Sequence, residues 1–113
     1  MKPRRYNYQA LGRLKTGQMN KTEAAYSDYL ERLKIAGEVL WYKFEGIKFR
    51  LADNTFYTPD FAVMRSDCSM EIHEVKGFMT EDANVKIKVA ADMYPFKFFA
   101  VYKEKNGWRT EDY

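Results

Sequence analysis

Asp60, Glu74 and Lys76 are the residues of this 113-residue chain whose types and spacing could do chemistry. In an extended strand, residues two apart share a face, so Glu74 and Lys76 project together, roughly 6–7 Å apart. Asp60 and Glu74 are equidistant from Asp67. A simple antiparallel hairpin turning there sets them directly opposite each other, with Cβ atoms ~5 Å apart. Two carboxylates that close repel each other unless a cation lies between them, and hard oxygen ligands suit Mg²⁺ or Mn²⁺. A lysine beside such a cation can orient or activate water and stabilise developing phosphate charge. The reading depends on register, which a bulge or an asymmetric turn would break. A plainer reading of the same residues stays open. Asp60 follows Pro59 in a turn-like dipeptide, and Glu74 and Lys76 would then be solvent-facing charges of little energetic consequence.

The elements that must position these residues can be read from pattern. Asn20-Lys21-Thr22-Glu23 has capping-box spacing and opens a helix running to about Ala36, with Gly37 as its stop. Tyr26, Tyr29, Leu30 and Leu33 form its buried stripe. Val39–Phe44 is rich in strand formers and Ile47–Leu51 alternates, so the two read as one long strand with a bulge or bend at Gly46. After a turn at Asp53-Asn54, Thr55–Met64 is a second extended stretch. Arg65–Ser69 turns the chain into a third, Met70–Lys76. Thr80 caps a second helix whose apolar side is Ala83, Ile87, Ala90, Ala91 and Tyr94, stopped by Pro95. Phe96–Tyr102 is the last strand, and beyond the Asn106-Gly107 turn Trp108 folds back as a short tail. The order α-β-β-β-α-β gives a mixed sheet with helices, of α/β or α+β class.

Other residues of interest carry two readings each. A capping-box Glu23 explains itself without chemistry, yet it shares a helix face with Tyr26, Ser27 and Leu30 that points toward the body. Lys86 and Lys88 lie on the second helix. Lys86 either faces substrate phosphates or pairs with Asp82 at i,i+4. His73, the one histidine, falls on the strand face opposite Glu74 and Lys76 and reads as a packing or surface residue. Cys68 lies in a turn with no histidine nearby in sequence, which argues against a thiol nucleophile.

Composition sets the frame. Apolar residues make up 46% and aromatics 17% of the chain, which suits one folded domain rather than disorder. No apolar run approaches the ~20 residues needed to span a bilayer. Met1–Asn7 lacks a signal-peptide core, and a lone cysteine makes no internal disulfide. The expectation is a cytoplasmic protein without membrane contact. The net charge of +3 is unevenly spread. Lys2, Arg4, Arg5, Arg13, Lys15 and Lys21 all precede the first acidic residue, Glu23, leaving 13 of the 19 basic residues against all 16 acidic ones. Residues 1–19 thus read as a basic arm on a domain spanning 20–113. Such an arm suits a polyanion such as nucleic acid, or serves only as a solvated tail.

Thr58-Pro59-Asp60-Phe61 followed by Glu74-Val75-Lys76-Gly77 resembles the PD-(D/E)xK nuclease signature, with Asp60, Glu74 and Lys76 in its three named positions. The expected element order resembles that superfamily's restriction-endonuclease-like core. Glu23 on an early helix, the Tyr57–Phe61 segment and the Glu-x-Lys-Gly strand together are similar to phage endonuclease I, a family of Holliday-junction resolvases. They are similar also to short phage-encoded proteins of this nuclease type. The resemblance covers roughly residues 18–103. It implies Mg²⁺- or Mn²⁺-dependent hydrolysis of DNA phosphodiesters in a bacterial host cytoplasm. Asp60, Glu74 and the Val75 carbonyl would hold the metal, Lys76 would position the attacking water, and Glu23 would be a further carboxylate. The basic arm, Lys21 and Lys86 would grip DNA. One site per chain implies a homodimer or successive nicks for cutting both strands. Two rival functions are a non-catalytic DNA-binding accessory or defence inhibitor on the same scaffold, and a protein-interaction domain with a coincidental motif.

Overall fold

The computed structural model describes residues 17–77 and 81–113. Lys2, Arg4, Arg5, Arg13 and Lys15 of the basic arm lie outside the described residues, as does Thr80, the expected cap of the second helix.

Helix α1 spans Lys21–Ile35 and starts where the Asn20–Glu23 spacing places it. The Glu23 N–H donates to Asn20 Oδ1 at 2.8 Å, and the Asn20 N–H donates to Glu23 Oε1 at 2.9 Å. These reciprocal bonds satisfy donors that a helix start otherwise leaves bare. Ala36 caps the other end, and Gly37 turns the chain at φ 85°, a region glycine enters at least cost. Tyr26 and Leu30 are buried, with Tyr29 and Leu33 packed beside them.

The strands are β1 (Val39–Phe44), β2 (Phe49–Ala52), β3 (Thr55–Tyr57), β4 (Phe61–Arg65) and β5 (Met70–Val75), then, after helix α2 (Glu81–Met93), β6 (Lys97–Glu104) and β7 (Gly107–Asp112). Five of them form one mixed sheet in the order β1-β4-β5-β6-β7, while β2 and β3 pair with each other in a separate sheet. β1, β4 and β5 run antiparallel in turn. β5 and β6 are parallel across the α2 crossover, and β6 and β7 form an antiparallel pair. Along the main sheet and its helices the order is α1-β1-β4-β5-α2-β6, the expected sequence of elements, with the β2–β3 pair and β7 added to it. The fold is mixed α+β.

Three segments depart from expectation. The stretch through Gly46 is two strands in two sheets, not one bent strand. Glu45 adopts φ 52° and its N–H donates to the Asp60 carbonyl at 2.7 Å, which ends β1 and redirects the chain. A Cβ at Gly46 would stand 2.9 Å from Lys43 Cβ, so glycine permits the tight turn there. The stretch Thr55–Met64 is likewise broken, at Thr58-Pro59-Asp60, where proline can donate no ladder hydrogen bond. Past Asn106, the chain forms the edge strand β7 rather than a short tail, and Trp108 packs on Tyr26 with ring centroids 4.9 Å apart.

The main sheet is covered on both faces. Phe61, Val63, Val75 and Val101 pack with Tyr26 and Leu30 of α1. Ala62, Ile72 and Phe98 pack with Ile87 and Ala90 of α2, and Phe49 and Tyr57 of the small sheet join them. Alternation along the strands does this sorting, since neighbouring side chains leave a strand on opposite faces. No described helix is long and apolar enough to cross a membrane.

Candidate functional site

The β4–β5 hairpin has the register on which the carboxylate pairing depends. Phe61 pairs with His73, Ala62 with Ile72, Val63 with Glu71 and Met64 with Met70, every pair symmetric about Asp67. One step beyond that ladder stand Asp60 and Glu74. They are joined by two hydrogen bonds. The Asp60 N–H donates to Glu74 Oε1 at 3.2 Å, and the Val75 N–H, next to Glu74, donates to Asp60 Oδ2 at 2.8 Å. Each carboxylate therefore has one oxygen held by backbone from the opposing segment.

Glu23 reaches the same place from α1. Its Oε1 serves the cap, and its carboxyl stands within hydrogen-bonding reach of Asp60. The capping role and the inward-facing position are thus both realised. Lys76 follows β5 directly. Its N–H donates to the Val101 carbonyl at 2.7 Å, and its ammonium lies 5.2 Å from the Tyr113 ring centroid, a cation–π contact. Lys76 is half-buried and senses the Glu74 charge.

Two tyrosines complete the site and were not singled out from sequence as site residues. The Tyr57 hydroxyl donates to Glu74 Oε1. It lies in the Tyr57–Phe61 segment, and the period-two alternation of β3 that turns Phe56 outward was the available signal for its inward direction. Tyr113 lies against Lys76, and its charged form would feel Glu74 and Asp60. Its hydroxyl is buried with no hydrogen-bond partner among the described residues. No spacing in the sequence announces Tyr113, because β7 delivers it.

Burial and like charge both work against the ionised pair. Burial, and then the charges of Glu74 and Glu23, push Asp60 up to about 9, against the pull of the Val75 N–H. Burial also raises Glu74, opposed by the hydrogen bonds from Tyr57 and Asp60 and by the Lys76 charge. Lys76 is pulled down by burial, with Lys88 adding to the effect and Glu74 opposing it. Asp60 and Glu74, both raised by burial, would be favoured in their charged forms by a divalent cation, whose charge would replace a proton. Among the described residues no group of three or more His, Cys, Asp or Glu side chains is placed to hold a metal ion. Mg²⁺ does not need one, since it is commonly held by one or two carboxylates with water and substrate oxygens filling the remainder.

The remaining candidates fall elsewhere. His73 is buried on the α1 side, as its strand parity requires. It bridges Tyr26 (O···Nδ1 2.6 Å) and Glu71 (Nε2···Oε1 2.9 Å). Burial works against the Glu71 carboxylate, but the His73 hydrogen bond and nearby positive charge, including Arg65 and Lys97, together outweigh it and hold Glu71 below the ordinary range. An ionised Glu71 can only accept, so Nε2 carries the proton and, in the neutral ring, Tyr26 donates to Nδ1. Lys86 makes the i,i+4 pair with Asp82, at 3.7 Å, and the α2 lysine whose charge Lys76 senses is Lys88. Lys21 is exposed on the first turn of α1, and Cys68 is exposed in the β4–β5 turn.

Fold and site together define a small mixed α+β domain with a half-buried carboxylate–lysine centre where β4 and β5 meet the start of α1. A family model described as a protein of unknown function (DUF1064) matches residues 16–108, and the chain belongs to that family. No curated protein and no solved structure matches it.

Proposed function

We propose that this chain is a divalent-metal-dependent endodeoxyribonuclease of the PD-(D/E)xK type. The observation that carries the reading is the mutual hydrogen bonding of Asp60 and the Glu74–Val75 segment, with Lys76 next along the chain and Glu23 beside Asp60. The element order α1-β1-β4-β5-α2-β6 supports it.

On this reading Asp60 and Glu74 hold Mg²⁺ or Mn²⁺, joined by the Val75 carbonyl. The bound cation supplies positive charge against phosphate oxygens and acidifies water. Lys76 orients the attacking water for in-line displacement at phosphorus and offsets charge on the pentacovalent phosphate as the P–O bond breaks. Glu23 adds a carboxylate directly or through water. Buried walls strengthen each of these interactions relative to bulk solvent. Branched DNA is the substrate the family resemblance favours. The basic residues before Glu23 supply a salt-sensitive phosphate grip, and a homodimer would place two sites on two strands. The single Cys68 suits a reducing cytoplasm.

The test is incubation with supercoiled plasmid, linear duplex and four-way-junction DNA in Mg²⁺, Mn²⁺ or EDTA. Metal-dependent cleavage is expected, with the junction preferred. Cleavage of none of them would remove the enzyme reading, leaving a DNA-binding accessory or a protein-interaction domain to be separated by DNA affinity.

A further inference from the structure

Tyr57 reaches the carboxylate pair from outside the sheet that carries it. It closes β3, which pairs with β2 in the separate two-stranded sheet, with Tyr57 opposite Phe49. Its ring is buried at 6% exposure among Phe49, Ala62, Ile72, Ile87, Ala90 and Phe98. A tyrosine ring wedged between a helix and a sheet has little rotamer freedom, so its hydroxyl is a donor at a fixed point. That donor falls on Glu74 Oε1, the oxygen that also accepts the Asp60 N–H. Two donors on one oxygen set the rotation of the carboxylate plane and direct its other oxygen, Oε2, away from the Tyr57 contact.

We infer that Tyr57 is a positioning residue that orients Glu74 for a divalent cation, coupling the β2–β3 sheet to the carboxylate centre. The inference rests on the metal-site reading above. Asp60 accepts the Val75 N–H, with Glu23 beside it, whereas Glu74 accepts, besides the Asp60 N–H, a bond from the Tyr57 side chain that substitution can remove. Outer partners that orient a ligand commonly govern metal affinity by 10- to 100-fold. Tyr57 would touch neither substrate nor metal. Its loss should therefore be felt in how tightly the cation is held more than in the rate once it is bound.

The decisive comparison is Tyr57→Phe, which keeps the ring and removes only the hydroxyl, against Phe49→Ala, which loosens the ring's packing and leaves the hydroxyl. Mn²⁺ alone is titrated into each purified full-length protein and into the wild type, with free Mn²⁺ followed by electron paramagnetic resonance. Thermal unfolding is recorded in parallel. Tyr57→Phe is expected to bind Mn²⁺ about tenfold more weakly. The metal concentration for half-maximal cleavage should shift by the same factor, and the rate at saturating metal should stay within about threefold of wild type. Phe49→Ala is expected to lower the melting temperature with Mn²⁺ affinity within about twofold of wild type. Mn²⁺ affinity of Tyr57→Phe within about twofold of wild type, or an equal loss in both variants, would overturn the positioning role while leaving the metal site standing. A wild-type protein that binds no Mn²⁺ would instead overturn the metal reading itself, and the positioning role with it.

Discussion

Asp60 and Glu74 hold each other in place: the Asp60 N–H donates to Glu74 Oε1 at 3.2 Å, while Asp60 Oδ2 accepts the N–H that follows Glu74 at 2.8 Å. Each acid is thereby oriented by the peptide backbone around the other. Two half-buried acids of like charge are held close by the hairpin register, an arrangement that favours a proton or a cation between them.

Asp60→Ala and Lys76→Ala each test the proposed chemistry without touching the main core. Both should lower DNA cleavage by about 10²–10³-fold or more, the scale of losing a charge-stabilising group. DNA affinity in Ca²⁺, measured by gel shift, should remain within a few fold. Full cleavage by either variant would remove these residues from the site.

The same pair gives the metal-free protein a pH dependence of definite sign. Asp60 is raised to about 9 in the folded state, against an ordinary aspartate value of ~3.9 in the unfolded chain. The folded protein therefore retains a proton that the unfolded chain releases. The stability contributed by this group is full below pH ~4 and is lost as pH rises toward 9. In EDTA the melting temperature should fall by roughly 5 °C or more between pH 5 and pH 9. Mg²⁺ should flatten that slope, because the cation replaces the proton. A flat profile in EDTA would mean that Asp60 is already ionised in the fold.

Glu23 serves a cap and faces Asp60, and two substitutions separate the roles. Asn20→Ala removes the side-chain acceptor of the cap and should cost about 1 kcal/mol in urea denaturation, with cleavage close to wild type. Glu23→Gln keeps capping-box geometry, which glutamine also satisfies, but removes the carboxylate. It should retain stability and lose about tenfold in cleavage rate. Wild-type cleavage by Glu23→Gln would make Glu23 a cap alone.

On the opposite face of the sheet, Tyr26→Phe should cost about 1–3 kcal/mol by urea denaturation, since it deprives the buried His73 ring of a partner. Cleavage should be preserved, because His73 and Glu74 leave β5 on opposite faces. An unchanged denaturation midpoint would show that the Tyr26–His73 bond adds nothing net.

Much of the site was legible because its placement is local. Asp60 and Glu74 meet through a short turn centred on Asp67, and the hydrophobic residues on either side of that turn specify one register. A slip of one residue would drive Phe61 and Val63 out of the α1 face. The Asn20–Glu23 cap was legible for the same reason, since its hydrogen bonds span three residues. The breaks at Glu45 and at Thr58–Asp60 were harder to see. Val39–Leu51 and Thr55–Met64 both carry strand-forming residues throughout, and only a long-range bond, from the Glu45 N–H to the Asp60 carbonyl, shows where the chain changes sheets.

By itself the sequence determined the hairpin register, the α1 cap, the side of β5 to which His73 and Glu74 each belong, and hence that a carboxylate pair forms. Strand alternation and turn symmetry are properties of neighbouring residues, and they require no knowledge of the rest of the chain. Only the tertiary structure decided that β2 and β3 leave the main sheet, that Tyr57 returns from them to Glu74, that β7 carries Tyr113 to Lys76, and that Glu23 reaches Asp60. Those contacts join residues far apart in the chain. They exist because the buried faces of α1, α2 and the small sheet must close on one core, and nothing in local spacing encodes where that closure brings a hydroxyl to a carboxylate.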